Sequence, residues 1–146
     1  MEKDVPSTKK EFYSMINSNR RNAGRVKSDC IGTTLYLIGE REKEGPIWGE
    51  HTEVFNNFIQ SKEPGLGYIV AIIDTFNEIY HTAVITNLNP LKVASKNGGG
   101  WAAFYPKKEL EKVINQYAGA TGHSFKEIKY FIPPKLQRIL EKEAQN

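Results

Sequence analysis

The chain has a single cysteine among its 146 residues, which excludes an internal disulfide framework and any cysteine-rich zinc site. It has no apolar run near the roughly 18 residues that a membrane-spanning helix needs. Residues 1–24 lack the apolar stretch of a signal peptide. Repeats and low-complexity tracts are absent. Charge of one sign is scarce as well, with 20 Lys and Arg against 17 Asp and Glu for a net of +3. That balance argues against a nucleic-acid partner, and no cofactor or metal-ligating cluster stands out. The expectation is a protein made in the cytosol, with export left open if a leader precedes this sequence.

The charge is unevenly spread. Residues 1–27 carry seven basic against three acidic side chains, and residues 28–66 carry three against seven. The basic opening, with Arg20, Arg21, Arg25 and Lys27, suits a phosphate-bearing partner, but a solvated helix face explains it more simply. Length favours one domain spanning residues 1–146, with residues 1–24 as a helical arm and residues 133–146 as a C-terminal helix.

Helical signals come early. Ser7 or Thr8 can cap a helix carrying Phe12, Met15 and Ile16 at one-face spacing. Ser28 or Asp29 can cap a second, running from Cys30 to about Gly39 with Leu35, Leu37 and Ile38 inside. Val54, Phe55, Phe58 and Ile59 predict a third over about Glu50 to Ser61. After Gly67 the period changes. Tyr68 to Ile73 is a continuous apolar run of strand length, and Ile79 to Thr86 makes a hairpin with it. Leu91 to Ser95 predicts a further strand, followed by a glycine corner at 97–100 and the apolar stretch Trp101 to Tyr105. Pro106 suits the first turn of a helix bearing Leu110, Val113, Ile114 and Tyr117. Lys126 to Ile132 reads as the last strand, and Leu136, Ile139 and Leu140 mark the final helix. Helices followed by a meandering sheet predict an α+β domain, with N-terminal helices packed on an antiparallel sheet.

Three details single out Cys30. It stands where a polar loop becomes a helix, so the helix N-terminus would favour its thiolate. Gly32 permits close approach of a backbone or a substrate, and the neighbouring residues are mostly small or polar. A cysteine nucleophile needs a base, normally an imidazole. His51 and His123 read as surface residues, whereas His81 lies inside an apolar strand, where an unpaired imidazole costs desolvation. A core histidine satisfied by a carbonyl is the plain account; a thiolate–imidazolium pair with Cys30 is the sharper one.

The segments Asp29-Cys30-Ile31-Gly32, Gly67-Tyr68-Ile69-Val70 and His81-Thr82-Ala83-Val84-Ile85 together resemble the NlpC/P60 cysteine peptidases over roughly residues 24–105. That resemblance implies a papain-like fold, a nucleophilic Cys30, a base His81 and a polar third residue that orients the imidazole. By position the third residue is Ser95, with Asn97 or a backbone carbonyl as substitutes. It also implies that Asp29 meets a substrate amine, that Trp101 borders the cleft, and that an amide is cut, with peptidoglycan stem peptides as the default substrate. Where family members often read Asp-Cys-Ser-Gly-Phe, this chain has Ile31 and Thr33. The competing expectation is an inactive papain-like domain that binds a partner.

Overall fold

The computed structural model describes residues 5–47, 51–96, 103–117 and 124–145, with residues 51 and 52 described by backbone alone. Within these residues the protein is α+β, with four α-helices and a six-stranded antiparallel sheet. Helix α1 spans Lys9–Asn22 and is capped by Thr8, whose hydroxyl accepts the Glu11 N–H at 3.1 Å. Ser7 returns its own N–H to the Glu11 carboxylate at 3.1 Å, so the first turn is closed from both sides. Helix α2 spans Cys30–Leu37. Gly39, at φ 78°, ends this segment in a left-handed conformation that favours glycine.

The strands are β1 (Ile59–Ser61), β2 (Ile69–Asp74), β3 (Ile79–Asn87), β4 (Lys92–Lys96), β5 (Phe104–Glu109) and β6 (Phe125–Ile132). Helix α3 (Leu110–Tyr117) follows β5, and α4 (Pro134–Ala144) follows β6. The sheet order is β1-β6-β2-β3-β4-β5. All six residues of β2 are buried, as an uninterrupted apolar run predicts for a strand covered on both faces. One face packs Ile69, Ala71, Ile73, Val84 and Ala94 against Phe12, Ile31, Leu35, Leu136 and Ile139 of α1, α2 and α4. The other packs Val70, Ile72, Ala83, Ile85 and Val93 against Leu110 and Val113 of α3. The sheet thus lies between a three-helix layer and a single helix. Among the described residues no helix is long and apolar enough to cross a membrane.

Two elements depart from the sequence reading. The helix expected over 50–61 is a 3-10 turn, His51–Phe55, followed by β1. Phe55 stacks on Phe131 with centroids 5.6 Å apart, and Phe58 meets Phe55 edge-on at 5.1 Å. Asn56 and Asn57 favour turns over helix interiors, and the edge of β6 offers backbone partners to Ile59 through Ser61. Pro106 does not open a helix either. It lies inside β5, at the sheet edge, where the register against β4 slips between Val93 and Ser95. An edge position and a bulge are where a residue without an N–H is tolerated in a sheet. The helix starts four residues later, at Leu110.

Candidate active site

Cys30 is the first residue of α2, and the turn it opens is held by nearby chain. Asp29 caps the helix, with one carboxylate oxygen accepting the Gly32 N–H at 2.6 Å and the other the Ile47 N–H at 2.9 Å. Ser28 is buried, and its hydroxyl oxygen accepts the Gly45 N–H at 3.1 Å. The Thr33 hydroxyl donates to the Glu44 carboxylate at 2.7 Å, while Arg41 donates to the Gly45 carbonyl at 2.7 Å. Residues 44–47 therefore form a strap over the first turn of α2. Gly32 is the residue that admits it: a Cβ there would lie 1.7 Å from the Gly45 carbonyl oxygen. The close approach inferred from Gly32 is thus made by a backbone. Asp29→Ala is expected to lower stability by about 1–2 kcal/mol, the usual cost of losing a helix cap, as a shift of the urea midpoint would read.

The helix is tied to the sheet through Thr82. The Thr82 hydroxyl donates to the Cys30 carbonyl at 3.2 Å and lies 2.9 Å from the Thr34 hydroxyl. Burial pushes the Cys30 thiol up, and the Asp29 carboxylate adds to the rise. Hydrogen bonding from Thr82 and from the Ile31 N–H pulls the other way. The helix start therefore does not leave a resting thiolate, because desolvation outweighs it.

His81 precedes Thr82 on β3 and is 1% exposed. Ile72 pairs with His81 and Ile73 with Ile79, so Tyr80 is the extra residue of a bulge. His81 meets the tyrosines of the α3 side. Its Nε2 lies 2.8 Å from the Tyr105 hydroxyl, and its ring stacks on Tyr117 with centroids 4.1 Å apart and planes 18° apart. Burial lowers the imidazole to about 3, and the Lys108 cation adds to the fall. Burial also raises both phenols, Tyr117 to about 12. A charged Cys30 would raise each of them further, which sets the thiol within electrostatic range of both tyrosines that hold His81.

Ser95 is buried on β4, and its hydroxyl donates to the Thr82 carbonyl at 2.6 Å. The side chain on the imidazole nitrogen is instead Tyr105, which stands opposite Ser95 in the β4–β5 ladder. Asp29 is seen as a cap. Trp101 and Asn97 lie outside the described residues, as does His123, and nothing is described of the His51 side chain. Tyr105 and Tyr117 were legible only as apolar positions of a strand and a helix. Their tie to His81 depends on cross-strand register, which no local pattern carries. A cavity of about 460 Å³ bordered by Met15, Asn19, Tyr36, Glu40 and Lys135 lies toward the other end of α2 and does not include Cys30 or His81. Compared with family models, curated proteins and solved structures, the chain matches none.

Proposed function

We propose that the protein is a papain-like thiol hydrolase of the NlpC/P60 kind, cutting a peptide or other amide with Cys30 as nucleophile and His81 as base. The observation that carries this reading is that both tyrosines holding His81, Tyr105 and Tyr117, lie within electrostatic range of Cys30 at the head of α2. In the proposed reaction the Cys30 sulfur attacks the amide carbonyl carbon while its proton passes to His81. The Cys30 N–H, in a first helical turn that has no intrahelical acceptor, donates to the oxyanion. The imidazolium then protonates the departing amine, leaving a thioester. Water attacks that thioester, giving its proton to His81, and the released carboxylic acid leaves the thiol restored as the imidazolium returns a proton to sulfur. Peptidoglycan stem peptides are the substrate class that the sequence resemblance supplies. Asp29 would cap the helix while meeting a substrate amine.

A resting pair of neutral thiol and neutral imidazole means that proton transfer accompanies attack. The same electrostatics favour a second reading, an inactive papain-like domain that binds a partner, because burial opposes the charged form of both groups.

Alkylation of the folded protein by iodoacetamide at pH 7.5 separates the two. The hydrolase reading expects one adduct, on Cys30, at a rate that falls at least about tenfold in His81→Gln, the scale on which a positioned base acts. Cys30 that labels only after denaturant, or equally fast without His81, leaves the partner-binding reading standing.

A further inference from the structure

We propose that the turn between β2 and β3, together with the hollow beside it, is a self-complementary face on which a second copy of this chain docks, Phe76 of each copy entering the hollow of the other. The inference is independent of the hydrolase reading, because neither Cys30 nor His81 belongs to this face.

Phe76 is 79% exposed, more than any other large hydrophobic residue among those described, and its place is fixed. The buried Asp74 carboxylate accepts the Phe76 N–H at 2.9 Å and the Glu78 N–H at 3.0 Å. The Asp74 carbonyl accepts the Asn77 N–H at 3.0 Å, with Asn77 in the left-handed region at φ 63°. The Thr75 N–H donates to the Ser124 carbonyl at 3.0 Å and ties the turn to the start of β6. A turn held this way has little freedom left to lose on association. Isolated exposed apolar side chains are ordinary. Phe76 is not isolated: Phe125, itself exposed, stands opposite Asp74 in the β2–β6 ladder, and the hollow adjoins the turn.

The hollow measures about 250 Å³ and is walled by Phe55, Phe58, Ile73, Ile79 and Phe131. An apolar space of about 150 Å³ is enough to hold a benzene ring. Asn77, the neighbour of Phe76, also lines the hollow, so protruding ring and receiving space lie side by side. A two-fold axis passing between them brings each ring to the hollow of the other copy, the reciprocal pattern of an isologous interface. Charge fits the same arrangement. The turn carries the exposed Glu78, and the hollow is lined by Lys129. Among the described residues neither makes an ion pair within its own chain. Seating Phe76 in the hollow of the second copy carries Glu78 toward the opposite charge of Lys129 there.

Sedimentation velocity of the full chain, from low micromolar to millimolar concentration, tests this. The expected result is a monomer–dimer equilibrium. Phe76→Ser, at an exposed position, should weaken association at least about a hundredfold, since a buried aromatic anchor is lost twice in a two-fold dimer. Leu88→Ser removes an exposed apolar residue just past the other end of β3 and should change nothing. Asn56→Arg, exposed in the lining, should fill the hollow and weaken association comparably. An equimolar mixture of the Phe76→Ser and Asn56→Arg chains should then associate more tightly than either alone, because the mixed pair rebuilds one ring-in-hollow contact. Glu78→Lys should weaken the dimer several-fold, and adding Lys129→Glu should restore it. A chain that stays monomeric throughout, a dimer indifferent to Phe76→Ser, or a mixture no tighter than its components overturns the proposal.

Discussion

Gly32→Ala is expected to destabilise the protein by about 3–5 kcal/mol, the sum of severe overpacking and the strap hydrogen bonds it would break. The added Cβ falls 1.7 Å from the Gly45 carbonyl oxygen, 2.8 Å from its carbon and 2.9 Å from Ser28 Oγ. None of these can swing away like the tip of a long side chain. Relief requires lifting residues 44–47 from α2, which breaks the bonds from Gly45 to Ser28 and from Ile47 to Asp29. For a chain of this size the melting temperature should fall by about 10 °C. Gly45→Ala is the control. Its Cβ would meet only the Arg41 guanidinium, at 3.3 Å, which can rotate aside, and its φ is not in the left-handed region. Thermal melts of the two variants should differ sharply. Equal melting temperatures would mean that the strap does not lie on the helix.

The second large effect is a loss of stability in acid that comes from His81. Its imidazole is held at about 3 in the folded protein, well below its ordinary 6.5, by burial and then by Lys108. Between these values the unfolded chain binds a proton that the folded chain refuses. Stability from this group is therefore complete above pH 6.5 and falls as the pH drops toward 3. The slope approaches about 1.4 kcal/mol per pH unit, one proton taken up on unfolding. Denaturant midpoints followed from pH 7 to pH 4.5 should decline accordingly, over a range where most of the fall precedes carboxylate protonation. The ring itself gives the direct reading: His81 carbon and nitrogen shifts in the folded protein should stay flat from pH 8 to pH 4. A titration midpoint near 6.5 would mean that the imidazole reaches water.

The sequence was most informative where one segment carries its own reason. Cys30 at a capped helix start, the two-faced β2 and the hairpin to β3 follow from Asp29, from an unbroken apolar run and from β-branched content. Pro106 misled because its fixed φ suits a helix start and an edge bulge alike, and only the position of β5 beside β4 decides between them. The expected helix over 50–61 failed for a similar reason: the spacing of Val54, Phe55, Phe58 and Ile59 fits one face of a helix, yet the open edge of β6 supplied a better partner. At the site, the cysteine's local frame was readable, whereas the imidazole's was not. His81 takes its partners from β5 and α3, 24 and 36 positions along the chain, and burial among them, with Lys108 nearby, keeps the imidazole neutral.

Desolvation at the head of α2 has one more consequence. Peroxide and related oxidants react with a thiolate far faster than with a thiol, so the raised pKa that keeps the partly buried Cys30 protonated also slows sulfenic acid formation. With no second cysteine in the chain to capture such a product as an internal disulfide, slow oxidation of the protonated thiol stands in for the rescue that a resolving cysteine would give.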